Sequence, residues 1–216
     1  MGGSAEQGRL RARAPAGLQL IETMRWVPGL GVELLLGHMA RLEAGCAALE
    51  IQCDLWRVEQ MIDAVRGEEP LRLRLTVGLD GTADLTQAPL PDPKPMWRVG
   101  LAQARVDATD PFRQIKSTER ALYDGTRADL PKGWDEAVFL NEKDELVEGT
   151  ISTVFLWADN ALLTPPLSSG ALPGVLRADL IRAGRAREAR LSFADIMDAR
   201  IYMGNALRGL IPAVVI

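Results

Sequence analysis

Apolar and polar residues follow two different periods along this chain, and each period names the element it forms. Leu71, Leu73, Leu75 and Val77 alternate with Arg72, Arg74 and Thr76, which lines one face of a half-buried strand, and Asp80-Gly81 follows as a hairpin turn. Met39, Leu42, Cys46 and Leu49 recur instead at helical spacing. Val58, Met61, Ile62 and Val65 repeat that spacing behind an N-cap candidate at Asp54. Ahead of these helices, residues 18–26 and 32–35 read as strands around the turn Pro28-Gly29. Four prolines within residues 88–95 mark an exposed connection. After it come a strand at 97–105, a helix at 118–129, and short strands at 137–140, 146–150, 154–157 and 161–164. Helices at 174–183 and 192–199 and a buried strand at 211–216 complete the pattern. Strands and helices mixed without a strict βαβ rhythm predict an α+β fold in two halves, 18–105 and 106–216, behind a flexible arm at 1–17.

Composition narrows the function without naming it. Of 216 residues, 47% are apolar and 25% charged, the balance of a soluble globular chain rather than a disordered, collagen-like or membrane one. Lys and Arg number 25 against 29 Asp and Glu, so the net charge of −4 gives no basic field for nucleic acid or an acidic membrane. An anionic ligand would need a local basic site. The single histidine, His38, excludes a multi-histidine metal centre, and no metal is expected. Cys46 and Cys53 lie seven apart on a helix and its end, too far for a disulfide if the helix persists, so both are expected as free buried thiols in a reducing cytoplasm. The arm is rich in Gly, Ala and Arg and lacks the apolar core of a targeting signal.

Several residues have chemistry that their neighbours could tune. Lys116 follows Asp110-Pro111 and precedes a helix, where desolvation by Ile115 and the charges of Arg113 and Arg120 would lower an ammonium pKa; a solvated surface lysine is the plain alternative. Glu148 sits in a strand between Val147 and Gly149, where a buried carboxylate needs a cation or donors; a strand-end glutamate facing water is the alternative. Gly174 opens a helix whose first amides, on Val175 and Leu176, have no intrahelical acceptor and can hold a phosphate, or it is simply a Gly-Pro helix start. Arg41, one helical turn after His38, can offer a planar fork to an anion or to water. His38 reads as a structural hydrogen-bonding residue. Asn205 lies in a glycine-bounded turn and serves either a ligand or the turn itself. Together these are an amine, a carboxylate, a helix N-terminus and an arginine, the parts that pyridoxal phosphate requires.

The same stretches resemble the class IV, or fold type IV, pyridoxal-phosphate-dependent aminotransferases. The resemblance runs from Glu148-Gly-Thr-Ile-Ser-Thr-Val-Phe through Leu162-Leu-Thr-Pro-Pro to Leu172-Pro-Gly-Val-Leu-Arg177. It departs in residue type only at Thr153, where the family usually has Asn. Lys116-Ser-Thr-Glu-Arg, Asp135-Glu-Ala-Val-Phe-Leu-Asn and His38-Met-Ala-Arg-Leu carry it further, and it covers residues 18–216. It implies a small two-layer α/β domain and a larger, pseudo-barrel-like one with pyridoxal 5'-phosphate at their interface. Lys116 would carry the cofactor as an imine and shuttle the proton, and Glu148 would hold the pyridine nitrogen protonated. Arg41 and the amides of Val175, Leu176 and Ala206 would grip the phosphate with Asn205 beside them, and Thr23 would assist proton transfer.

Within the family, Glu22-Thr-Met-Arg, Ile51-Gln-Cys-Asp-Leu-Trp, Thr164-Pro-Pro-Leu-Ser-Ser-Gly and Gly204-Asn-Ala-Leu-Arg-Gly-Leu-Ile-Pro most resemble its aminodeoxychorismate lyases. Those enzymes form 4-aminobenzoate and pyruvate for folate biosynthesis. A branched-chain or D-amino acid aminotransferase is the alternative activity, and a non-catalytic binding protein on the same fold is the third reading. The resemblance also implies a homodimer and a small anionic amino substrate, for which Arg25, Arg74, Arg105 and Arg208 are candidate anchors.

Overall fold

The computed structural model describes residues 10–216, which form two compact units, one running to Pro91 and including Ile115–Glu119, the other Asp92–Gln114 with Arg120–Ile216. In the smaller unit four strands, β1 (Gln19–Val27), β2 (Gly31–Val32), β3 (Leu71–Gly78) and β4 (Ala83–Pro89), form an antiparallel sheet in the order β2-β1-β3-β4. Alternation works as read: Leu73, Leu75 and Val77 are buried while Arg72 and Arg74 face out. Two helices, α1 (Leu35–Ala48) and α2 (Leu55–Asp63), follow the first hairpin, and Asp54 caps α2 by accepting from the Arg57 amide at 3.0 Å. The strand expected at 32–35 stops at Val32, because Leu34 turns into the left-handed region (φ 56°) and starts α1. Leu10 to Arg13 form a helical turn whose Arg11 donates to the Leu79 carbonyl at 2.8 Å, so this part of the expected flexible arm is docked; residues 1–9 lie outside the described residues.

The cysteines lie closer than helical spacing allows. The helix ends at Ala48 and the chain reverses, with the Ile51 amide donating to the Cys46 carbonyl at 2.9 Å. The two thiols are thereby near enough to hydrogen-bond, and burial, then the Cys53 neighbour, push Cys46 up to about 12. Both are free; Cys46 is buried and Cys53 half-buried.

The larger unit is built on an eight-stranded mixed sheet. Its strands are β5 (Trp97–Val106), β6 (Glu136–Asn141), β7 (Leu146–Gly149), β8 (Thr153–Ala158), β9 (Ala161–Thr164), β10 (Ala186–Glu188), β11 (Ile201–Asn205) and β12 (Gly209–Val215), in the order β10-β9-β8-β11-β12-β5-β6-β7. Edge strand β7 and inner strand β8 are joined by only three residues, so the sheet must curl. Val99, Val138, Leu146, Val154, Ile196, Ile201 and Met203 fill its core. Helices α3 (Ala121–Ala128) and α4 (Val175–Arg182) flank it. The helix expected at 192–199 shrinks to a single 3-10 turn at Ala194–Ile196, which inserts Ile196 into that core.

Two sequence boundaries move for one reason, long-range strand pairing. The division at 105 would leave β5 with the smaller half, yet β5 runs parallel to both β12 and β6 and belongs to the larger sheet. The helix expected from Thr118 starts only at Ala121, because residues 115–119 lie along β1 instead. There Ile21 donates to the Lys116 carbonyl at 2.9 Å and Thr118 donates to the Gln19 carbonyl at 2.8 Å.

Candidate active site

In the smaller unit strand alternation sorts the candidates onto two faces. Leu20, Glu22, Met24 and Trp26 are buried along the face of β1 that carries α1. Glu22, 2% exposed, accepts from Arg41 Nε at 2.8 Å and Arg41 Nη2 at 2.5 Å, and lies 2.6 Å from His38 Nδ1. Burial raises the Glu22 pKa, but the charge and hydrogen bonds of Arg41, with those of His38, outweigh it and hold the carboxyl below the usual glutamate range. His38 is fully buried and has the structural role expected of it. Arg41 gives one edge of its fork to Glu22, a partner that the sequence reading missed although Glu22 opens one of the quoted motifs.

Thr23, next along β1, faces the other way and shares that face with its cross-strand partner Arg74. Arg25 stands opposite Arg72 on the same face. Thr23 and the Arg41 cluster therefore occupy opposite faces of the small sheet. Lys116, half-buried, is fixed through its backbone at the end of β1 and flanked by buried Ile115 and Ser117.

In the larger unit Glu148 is next to last in β7 and 8% exposed, so it is not a water-facing strand end. Its Oε1 accepts from the Tyr123 hydroxyl at 2.5 Å and from Arg113 Nη2 at 3.4 Å, and its Oε2 from the Leu172 amide at 3.1 Å. The Arg113 guanidinium lies 4.4 Å above the Tyr123 ring. Burial pulls Arg113 below its ordinary pKa against the opposing charges of Glu148 and Asp110. Tyr123 and Arg113 are absent from the sequence candidates, since neither periodicity nor spacing shows that a tyrosine 25 residues away meets Glu148.

The segment that donates to Glu148 leads straight into α4. Gly174 precedes the helix with no side-chain cap, and the first helical bond runs from Ala178 to its carbonyl, so the amides of Val175 and Leu176 have no intrahelical acceptor. A Cβ at Gly174 would lie 3.0 Å from Thr153 Oγ1, so the glycine lets the start of the helix approach β8. Asn205 is occupied in its turn: Oδ1 accepts from Leu207 at 3.1 Å and Arg208 at 3.0 Å, and Nδ2 donates to the Ile151 carbonyl at 3.0 Å. Of the alternatives left open by the sequence, these bonds support the turn role, and Ala206 follows in that turn. Arg105, an anchor candidate, pairs with Asp144 at 2.5 Å and the Asn141 carbonyl at 2.8 Å.

A buried carboxylate and open helix amides on one continuous stretch suit a ligand with a cationic ring nitrogen at one end and a phosphate at the other. The donor set therefore fits pyridoxal 5'-phosphate. The architecture is that of the fold type IV enzymes. Over residues 19–216 the sequence matches the family described as amino-transferase class IV, and the chain belongs to that family of pyridoxal-phosphate-dependent enzymes.

Solved structures agree. A candidate amino-acid aminotransferase from Mesorhizobium loti is similar at 38% identity and a TM-score of 0.88, over 92% of this chain and 100% of that one. The 4-amino-4-deoxychorismate lyase from Pseudomonas aeruginosa is similar at 25% identity and a TM-score of 0.77, over 91% and 82%. The branched-chain amino acid aminotransferase from Escherichia coli, at 18% identity and a TM-score of 0.76 over 93% and 77%, shares the fold. No curated protein matches the sequence.

Proposed function

We propose that this enzyme holds pyridoxal 5'-phosphate on Lys116 and acts as a 4-amino-4-deoxychorismate lyase, giving 4-aminobenzoate and pyruvate. The observation that carries the cofactor reading is Glu148, buried and hydrogen-bonded by Tyr123 and Leu172 at the head of the segment that opens α4. Once bound, the cofactor supplies an electron sink for the carbon that bears the substrate amine. The side chains supply the rest. Glu148, fed by a phenol, an amide and a guanidinium, accepts a hydrogen bond from the ring nitrogen as an anion. The amides of Val175 and Leu176 hold the phosphate, while Glu22 fixes Arg41 for a supporting charge. Lys116 Nζ takes the proton from the amine-bearing carbon and returns it, the work of a positioned general base.

Arg25 facing Arg72, with Arg74 beside Thr23, favours an anionic substrate. Like charges opposite each other on a strand pair are unfavourable unless an anion answers them; Glu33 answers Arg25 at 3.8 Å, which leaves Arg72 and Arg74 for the two carboxylates of the lyase substrate. Asn205, with no hydroxyl at that position, closes the β11–β12 turn, in keeping with the lyase-like motif. The second reading, an amino-acid aminotransferase, is favoured by the greater similarity to the Mesorhizobium loti protein.

Incubating the protein and cofactor with aminodeoxychorismate separates the two. The lyase reading expects equimolar 4-aminobenzoate and pyruvate. No product above the Lys116→Ala background, with transfer of an amino group from a branched-chain or D-amino acid to an oxo acid, would replace it with the second reading.

A further inference from the structure

The most heavily hydrogen-bonded carboxylate of the larger unit has no part in the scheme above. Glu136 opens β6, a strand buried along its whole length, and is itself fully buried. Its Oε1 accepts from the Ala137 amide at 3.0 Å, the Thr150 amide at 2.9 Å and the Thr150 hydroxyl at 2.5 Å. Its Oε2 accepts from the Ile151 amide at 3.2 Å and the Ser152 hydroxyl at 2.7 Å. A Cβ at Gly149 would stand 2.8 Å from this carboxylate, so glycine is required there for the turn to close over it.

The turn that Glu136 grips, residues 150–152, adjoins four larger-unit components of the candidate site: Glu148, the start of α4, Asn205 and the helix that carries Tyr123. Glu148 lies one residue from the end of the strand before the turn, and Thr153, which packs against Gly174 at the start of α4, begins the strand after it. The Ile151 carbonyl receives Asn205 Nδ2. Helix α3 is tied to the same turn, through Arg120 Nη2 to the Thr150 carbonyl at 2.9 Å and Arg127 Nη1 to the Thr150 hydroxyl at 3.0 Å, and α3 carries the Tyr123 that donates to Glu148. Glu148 is thus fastened to Glu136 by two routes, along the backbone and through α3.

From this geometry we infer that Glu136 is a positioning residue for the cofactor site: its carboxylate clamps the 150–152 turn, and the clamp sets where Glu148 and the open end of α4 stand. The charge matters as well as the shape. A carboxylate accepts at both oxygens, whereas the amide of a glutamine would turn N–H groups toward the Ile151 amide, which cannot reverse its own direction. The inference rests on the cofactor reading for two of its three measurements and on the chain alone for the third.

The test compares wild type, Glu136→Gln and the milder Ser152→Ala. Hydrogen exchange at the amides of residues 149–152, read without cofactor, is expected to rise in both variants, more in Glu136→Gln. Affinity for pyridoxal 5'-phosphate is expected to fall about tenfold in Glu136→Gln, the low end of the scale known for hydrogen-bond partners of metal-ligating side chains. The pH midpoint of the bound cofactor's absorbance is expected to shift in the same variant, a change that a purely structural defect would not produce. Should Glu136→Gln fail to fold, Ser152→Ala decides, with smaller changes in the same directions. A folded variant with wild-type exchange, affinity and midpoint overturns the inference. If wild type binds no pyridoxal 5'-phosphate, the cofactor reading falls, and the exchange measurement alone still decides whether Glu136 clamps the turn.

Discussion

Replacing Lys116 by alanine is expected to remove turnover, by about 10³-fold or more, while leaving the fold in place. The size of the loss follows from the two tasks proposed for the Nζ atom, covalent attachment and proton transfer, since a positioned proton-transfer group alone contributes about 10²–10⁴-fold. The intact fold follows from the backbone. The Lys116 carbonyl accepts from Ile21 at 2.9 Å and the neighbouring Ile115 and Ser117 are the buried side chains, so truncating Lys116 removes no sheet bond and little core. Product formation under saturating substrate, with circular dichroism to verify folding, checks this. Retention of a tenth or more of wild-type turnover would contradict the role given to Lys116.

The largest effect on stability is expected at Glu22. Breaking a buried ion pair by removing one partner costs about 3–5 kcal/mol, because the remaining charge loses its compensation. Glu22→Ala leaves Arg41 and fully buried His38 without the carboxylate between them. Against a typical domain stability of about 5–15 kcal/mol, that is a large share of the folding free energy. Its pH signature is specific. The folded-state pKa of Glu22 lies below the ordinary value of 4.5, so its stabilisation is complete above that value and is lost as pH falls through the lower folded-state one. Glu22→Gln should therefore flatten the acid limb of the stability curve and leave its neutral shape alone. Urea unfolding at neutral and acid pH measures both, and a cost under about 1 kcal/mol for Glu22→Ala, or an unchanged acid limb for Glu22→Gln, would contradict the pairing.

What the chain reveals without coordinates depends on how far its interactions reach. Strand β3 and helices α1 and α2 are readable because period two and period 3.6 are local properties, and Asp80-Gly81 after β3 and Asp54 before α2 punctuate them in the expected way. Glu148 and the α4 start are legible as candidates because an acid in an apolar strand and a glycine before a helix are unusual locally. Two of the misplaced boundaries are long-range in origin, whereas the strand end at Val32 is set locally by the left-handed Leu34. Lys116 reads as a residue just before a helix until Ile21, far upstream, pairs with it, and β5 reads as the end of one half until β12 and β6 flank it. The same limit hides Tyr123 from Glu148, Glu136 from the 150–152 turn, and Cys53 from Cys46, where a chain reversal cancels the helical separation.

The central claim is that Lys116 is the residue that carries the cofactor, and borohydride reduction tests it most directly. The chain has four lysines; Lys94 and Lys143 are well exposed and ion-paired with Asp135 and Glu142, Lys132 is exposed, and only Lys116 lies half-buried in the small sheet. Reducing the protein with one equivalent of pyridoxal 5'-phosphate, then digesting and weighing the peptides, should place a single stoichiometric adduct on Lys116 and none in Lys116→Ala. An adduct spread over Lys94, Lys132 and Lys143, or no adduct on Lys116, would contradict it.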